Sequence, residues 1–251
     1  GVKLRPPFES ELYVNVEFSD EMLVFNTKSR KIAKKFTLPK GTHNFIFSKD
    51  GQFLYLMAGK AGVIKINANN GKVLKTFKAN TPSRGLSFLG KTEELIVSGV
   101  GEISIVDGES REELKHFDNL GVGQILYSES TPDGKMIISP AVWNSQILFI
   151  DVDSGKVIKR SFSGLDPVAV AISGDGEKAY VSNARSSFVT VFNLNNFSKK
   201  KIKTGVGPNG IALAPYTAFK TRKKLVLGSV LPLSGKHLSL IHISEPTRRT
   251  P

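Results

Sequence analysis

The stretch AYVSNARSSFVTVFNLNNF, residues 179–197, decides the fold. It contains an apolar strand, a short polar loop, and a second strand that ends at Asn193 in a turn, a pattern typical of a β-hairpin. The same pattern returns along the chain at intervals of 41 or 42 residues. Its first strand begins at Leu12, Leu54, Leu95, Ile137 and Ala179. The chain is therefore a tandem repeat.

Each repeat predicts four short strands. The second strands end at Asn26, Asn67, Asp107, Asp151 and Asn193, and the third strands close at Phe36, Phe77, Phe117, Phe162 and Ile202. A Gly- or Pro-containing loop then leads to a fourth strand, and we expect these innermost strands over 45–48, 86–89, 169–172 and 210–214. Four strands in roughly 40 residues indicate a β-propeller blade, and blades must stack to bury their apolar faces. The prediction is an all-β fold, a β-propeller of four-stranded antiparallel blades.

The repeat resembles the YVTN-type propeller repeat. The residues that carry the resemblance are 179–197, TGVGPNGIALAP (204–215), SGDGEKAYVSN (173–183) and KDGQFLYLMAG (49–59), within a region from Leu12 to about Tyr216. The resemblance implies a location outside the cytoplasm, periplasmic or extracellular. It also implies that the five repeats are a fragment of a seven-bladed ring; a true five-bladed ring is the alternative.

The pattern divides the chain into four regions. We expect an N-terminal remnant (1–11), propeller repeats (12–53, 54–94, 95–136, 137–178 and 179–216), a linker region (217–237) and a tail (238–251). Residues 223–235 resemble the opening strand and turn of type I periplasmic substrate-binding proteins of the branched-chain amino-acid class; one more irregular strand is the alternative. Residues 238–248 resemble a translated sequencing adapter, which would make the tail an artefact rather than an amphipathic segment.

Composition excludes several classes of function. The chain has no Cys, which removes disulfides, thiolate catalysis and Cys-ligated metals. No apolar run approaches the roughly 20 residues of a membrane span. The formal net charge is +13. The basic residues concentrate on the third strands and their turns, as in Lys34, Lys75, Lys159 and Lys200, where Lys protects an exposed sheet edge from aggregation. Binding of nucleic acid or another acidic surface through these strands is the alternative.

A candidate site follows from the repeat phase. In propellers of the type that the repeat resembles, the loops that precede the innermost strands and the loops between the motif's first two strands belong to one face, which holds the funnel into the central channel. The tentative ligand-binding residues of this funnel face are His43, Arg84, Asn209, Trp143, Arg185 and Phe18. A planar Arg donor fork and a Trp stacking face suit a small anionic or aromatic ligand. In the alternative interpretation these are ordinary solvated residues and Trp143 packs against a neighbouring blade.

Signals for chemistry are scarce. No local pattern marks a Ser-His-Asp device, His116 falls on an outer strand, and residues 151–155 (DVDSG) have turn chemistry rather than a calcium loop. We predict no catalytic residues, no metal site and no cofactor. The expected function is a non-enzymatic extracytoplasmic module that binds a protein or small ligand on its funnel face and is fused to a solute-binding domain. The alternative is a propeller enzyme or enzyme-associated component, lactonase-like or quinoprotein-associated.

Overall fold

The computed structural model describes residues 1–16, 19–110 and 112–213, and the backbone of 225–228 and 240–243. Within these residues the chain is built of β-strands, with one 3-10 turn at Val142–Asn144. The chain divides into two compact units, Gly1–Ile125 and Leu126–Pro251. No helix of the described part is long and apolar enough to cross a membrane.

The first unit contains three four-stranded sheets in which strands adjacent in sequence pair antiparallel. They are β1 (Val2–Leu4), β2 (Glu11–Val16), β3 (Glu21–Asn26) and β4 (Ile32–Thr37); β5 (Asn44–Phe47), β6 (Phe53–Met57), β7 (Val63–Asn67) and β8 (Val73–Phe77); and β9 (Gly85–Phe88), β10 (Glu94–Ser98), β11 (Ile103–Asp107) and β12 (Glu113–Phe117).

The second unit contains two further sheets of the same order. They are β13 (Glu129–Ser130), β14 (Met136–Ala141), β15 (Gln146–Asp151) and β16 (Val157–Phe162); and β17 (Pro167–Ile172), β18 (Lys178–Asn183), β19 (Phe188–Asn193) and β20 (Lys199–Lys203). A separate antiparallel pair joins β21 (Leu225–Gly228) to β22 (Leu240–Ile243). Each four-stranded sheet after the first takes its first strand from the end of one sequence repeat and the other three from the next.

Recurrent Asn and Asp residues close the outer hairpins. Asn26 Oδ1 accepts the amide hydrogens of Lys28 (3.1 Å) and Ser29 (2.7 Å). Asp151 Oδ1 accepts the Ser154 amide at 2.8 Å in the corresponding turn. These Asx turns explain why the repeat ends its second strand on Asn or Asp. They also confirm the turn predicted over 151–155.

Asp-Gly turns join the first two strands of three sheets. Ser173 donates a hydrogen bond to Asp175 Oδ1 at 2.5 Å, and this bond and the Glu177 amide hold the pKa of Asp175 below its ordinary value. Gly176 follows at φ +75°, and Gly51 holds the same place in the second sheet at φ +69°. A Cβ on Gly51 would lie 2.0 Å from the Pro6 carbonyl oxygen, whereas one on Gly176 would have only a proline side chain at 3.2 Å.

The core lies between sheets, as stacking requires. In the first unit Tyr13, Met22 and Phe45 belong to one buried cluster, and in the second Phe149 and Phe192 meet edge to face at 5.4 Å. The outer strands β4, β8, β12, β16 and β20 form sheet edges and are mostly exposed. The Lys-rich third strands are therefore edge strands, as the charge pattern predicts.

Lys65 is an exception within the buried layer. Its side chain is 4% exposed, and its Nζ lies 2.5 Å from Glu109 Oε1 and 4.3 Å from the centroid of the Phe53 ring. Burial alone would lower the pKa of Lys65, but the bond to Glu109 and the proximity of Tyr55 outweigh it, so the pKa lies above its ordinary 10.5.

Two elements differ from the sequence prediction. Residues 210–213 form no strand, although Ile211 and Leu213 pack against the buried cluster that includes Tyr180 and Val191. Residue 214 of that predicted strand lies outside the described residues. Conversely, β1 was not predicted, because Val2–Leu4 is too short and exposed to show a period.

Candidate functional site

The first unit places two predicted site residues at equivalent positions. His43 and Arg84 each precede the first strand of a sheet, and their amides donate to the carbonyls of Met57 (2.8 Å) and Ser98 (2.9 Å). The Arg84 side chain is exposed and His43 is half-buried. Both residues therefore occupy the loop positions that the repeat phase predicts.

The second unit carries three more. Trp143 is 72% exposed in the β14–β15 loop, and Arg185 lies at the equivalent place in the β18–β19 loop with a side chain 72% exposed. Asn209 is half-buried, and its carbonyl accepts a hydrogen bond from Ser182 Oγ. Phe18 lies outside the described residues. Convergence of all six on one funnel stays a prediction.

Trp143 lies on the surface of the second unit. A Trp that packed against a neighbouring blade would be largely buried, but Trp143 presents most of its surface to solvent. An exposed indole joins a large apolar surface with one donor group, the combination enriched at protein interfaces. A role of Trp143 in ligand binding stays a prediction.

Backbone hydrogen bonds join the loops around Trp143 into one row. The Ser163 amide donates to Ser145 O (3.2 Å) beside the Trp143 loop, and the Arg185 amide donates to Leu165 O (3.2 Å). The Gly207 amide donates to Ser186 O at 3.1 Å and brings in the loop after β20. These four loops, 142–145, 163–166, 184–187 and 204–209, are called the second-unit loop face below.

This loop face is nearly uncharged and carries three exposed apolar side chains. Besides Trp143 it exposes Leu165 (48%) and Val206 (84%). Its only charged residues are Asp166 and Arg185, whose Oδ2 and Nε atoms lie 3.8 Å apart. Sequence reasoning did not identify Leu165 and Val206, because an apolar residue in a loop gives no periodic signal.

The first unit has a different surface, an acidic pocket of about 420 Å³. Residues 100–102 and 118–122 line it, including Glu102 and Asp118. The Glu102 carboxylate is 15% exposed, accepts a hydrogen bond from Thr81 Oγ1 at 2.7 Å and stands 3.6 Å from His116 Nε2. The carboxylate is thus held by protein groups on two sides.

Ser104 and Glu113 complete the surroundings of His116. Both lie on the Nδ1 side of the ring, at 3.1 and 2.9 Å, and Ser104 donates to Glu113 Oε1 at 2.5 Å. Glu102 lies on the opposite, Nε2 side of the ring. The four side chains form a hydrogen-bonded cluster at the outer edge of the sheet. The hairpin turn at Asp107 pairs Ser104 with His116, so strand register was the signal that could have revealed it.

No group of three or more His, Cys, Asp or Glu side chains suited to holding a metal ion occurs in the described part of the chain. Of the two acidic residues that line the pocket, Glu102 has protein partners in Thr81 and His116. The two surfaces thus differ in character: one is an acidic pocket, and the other is a nearly uncharged loop face with three exposed apolar side chains.

Comparison with known proteins identifies the fold class. The sequence matches no protein-family model and no curated protein at a significant level. By structure, 1466 chains of solved structures match, so the fold is common and does not by itself single out a function. One match is a chain in the crystal structure of a mitotic checkpoint complex, a WD40-like propeller. Its TM-score is 0.71 at 14% identity, over 88% of this chain and 68% of that one. This chain therefore has a β-propeller fold.

Proposed function

We propose that this chain is a non-enzymatic β-propeller module that binds a protein partner through the second-unit loop face, with Trp143 as the central anchor. The observation that carries the proposal is the 72% exposure of Trp143 within a row of loops that also exposes Leu165 and Val206. An aromatic side chain contributes roughly 150–250 Å² to a contact, and contiguous exposed apolar surface marks interaction sites. The structural neighbour belongs to a multiprotein complex, which agrees with this role.

The rigidity of the face supports binding rather than chemistry. Its loops are hydrogen-bonded to one another, so their backbone order exists before a partner arrives, which lowers the entropy cost of association. The loop face contains no His and no cluster of acids. It offers contact surface and donors, and no acid–base pair for a reaction.

Two resemblances in the sequence support two finer parts of the proposal: the YVTN-like repeat motifs support the location, and residues 223–235 support the fused domain. We place the module outside the cytoplasm and in front of a solute-binding domain that starts near Lys223. Independent sequencing of the full gene and cell fractionation with an antibody test both parts. A cytoplasmic product, or a reading frame with no solute-binding domain, would overturn them without affecting the binding proposal.

The test of binding uses two exposed aromatic residues. A photo-crosslinking amino acid at position 143 captures partners in extracts of the source organism, and the same group at Phe8 is the matched control, because Phe8 is 86% exposed on a β1–β2 loop of the other unit. Each partner captured only from position 143 is then purified and titrated. Trp143→Ala should weaken binding at least 10-fold, whereas Phe8→Ala should leave the Kd unchanged. Equal loss from both variants, or no loss from Trp143→Ala, would refute the proposal.

A further inference from the structure

The second-unit loop face has one pair of charged side chains, Arg185 and Asp166, and Arg185 is the more exposed of the two. Arg185 is 72% exposed and Asp166 is 33% exposed, and the 3.8 Å between their Nε and Oδ2 atoms is longer than a hydrogen bond. Among the described residues the guanidinium makes no other polar side-chain contact. Its remaining donors are therefore available to an acceptor on a partner.

Arg185 also lies next to the apolar surface. Its amide donates a hydrogen bond to the Leu165 carbonyl, and the Leu165 amide donates one to Ser186 Oγ at 3.0 Å. Leu165 is half exposed, and its loop adjoins that of Trp143 through Ser163 and Ser145. An apolar anchor and a planar donor fork thus stand on neighbouring loops.

The charge of the surroundings favours an anionic group at Arg185. The chain carries a formal net charge of +13, whose field attracts acidic partners and repels basic ones. A carboxylate matches the guanidinium fork with two parallel hydrogen bonds. A polyanion is not favoured, because the loop face has only one cationic side chain.

From these observations we infer, resting on the proposed function, that the partner binds with a short peptide segment that places an apolar side chain against Trp143 and Leu165 and an Asp or Glu carboxylate on Arg185. Trp143 supplies affinity and Arg185 supplies selection for acidic segments. Asp166 limits where the carboxylate can sit, because a carboxylate approaching its side of the guanidinium meets like charge.

The experiment selects peptides from a phage-displayed random dodecapeptide library on the whole chain, after depletion on the Trp143→Ala variant. The selected peptides should carry Asp or Glu within a few residues of Leu, Phe or Trp. Synthetic versions are titrated by fluorescence anisotropy. Exchange of the peptide carboxylate for its amide should weaken binding about 10-fold, and so should Arg185→Gln, as charge-assisted bonds do.

The coupling between the two changes is decisive. The Arg185→Gln variant should bind the amide peptide as well as it binds the acidic peptide. As a control, Lys159→Gln on the outer strand β16 should leave the Kd of both peptides unchanged. Thermal unfolding confirms that each variant is folded.

Neutral or basic selected peptides, or full affinity in Arg185→Gln, would overturn this inference and leave the Trp143-dependent binding module in place. Absence of any Trp143-dependent peptide, or concentration-dependent self-association that Trp143→Ala abolishes, would overturn the peptide inference in favour of a folded partner or a second copy of the chain. Failure of the crosslinking and titration test separately overturns the proposed function.

Discussion

Lys65 should be replaceable by an apolar residue at no cost in stability. In the other four sheets the position two residues before the strand-ending Asn or Asp is held by Val24, Ile105, Phe149 and Val191, all of them buried. Lys65 lies opposite Lys75 across the β7–β8 pair, and like charges in that position are destabilising. Lys65→Met keeps the volume of the side chain nearly constant and removes a buried ammonium group.

The expected change in the free energy of unfolding follows from the exposure of the two partners, since Lys65 is buried and Glu109 is exposed. Replacing a buried ion pair by apolar residues is often neutral or stabilising by roughly 1–4 kcal/mol, whereas removing one partner of a fully buried pair costs about 3–5 kcal/mol. Glu109 is 74% exposed, so water solvates it once Lys65 is gone. We expect Lys65→Met to change the free energy of unfolding by between zero and about +2 kcal/mol. Glu109→Gln should lower the free energy of unfolding by up to about 1 kcal/mol, since exposed carboxylates contribute less than buried ones.

Urea unfolding followed by far-UV circular dichroism measures both variants and the double variant, and hydrogen exchange of β7 peptides localises the effect to the first unit. In the Lys65→Met background, Glu109→Gln should have almost no effect. Because the folded pKa of Lys65 is raised, its contribution is complete below pH 10.5 and is lost as pH rises through the folded value. Wild type should therefore lose stability relative to Lys65→Met above that pH. A clearly lower free energy of unfolding in Lys65→Met than in wild type at neutral pH, while Lys75→Met leaves it unchanged, would refute the reasoning.

Three further predictions concern the turns and the single Trp. Gly176→Ala should cost about 1–2 kcal/mol for the left-handed backbone alone, and Gly51→Ala should cost clearly more because its Cβ meets the Pro6 carbonyl; equal losses in calorimetry would contradict the clash. Asp175 has a lowered pKa, so its contribution is present above its ordinary 3.8 and is lost as pH falls through the folded value. Asp175→Asn should keep the turn and reduce the fall in the free energy of unfolding at acid pH. An unchanged dependence on acid pH would contradict this prediction. Trp143 is the only Trp, so the free chain should emit like a solvated indole and shift to the blue on binding a partner; a blue emission without partner would contradict its exposure.

The strands were predictable where turn chemistry and periodicity agreed. Asn26 and Asp151 mark hairpins because their side chains bond the turn amides, and this need is local enough to show in the sequence. The pattern is weaker before the third repeat, because Leu89-Gly90-Lys91 stands where the turns before Phe53 and Lys178 have Ser-x-Asp-Gly. Residues 210–213 read as a strand from their apolar pattern, yet strand formation also requires a pairing partner.

The loop placement of the candidate residues was predictable from the sequence, and the exposure of their side chains was not. Repeat phase located His43, Arg84, Trp143 and Arg185 in loops, because the backbone repeats with the sequence. Exposure depends on neighbours that are distant in sequence, as when Thr81 holds Glu102 from 21 positions away. No local pattern in the sequence encodes such a contact, so the acidic pocket was missed.

The hydrogen-bonded loop row has a consequence for how such a surface can diverge. Phe18, Lys60, Gly101, Trp143 and Arg185 all stand six residues after the start of a repeat. At Trp143 and Arg185 the neighbouring backbone is fixed by main-chain bonds, which do not depend on the side chain carried there. Side chains at 143 and 185 can therefore be exchanged one at a time while the scaffold is inherited unchanged, whereas Gly101, at φ +71°, disfavours a side chain. A new partner specificity can arise by substitution at Trp143 or Arg185 without passing through a misfolded intermediate.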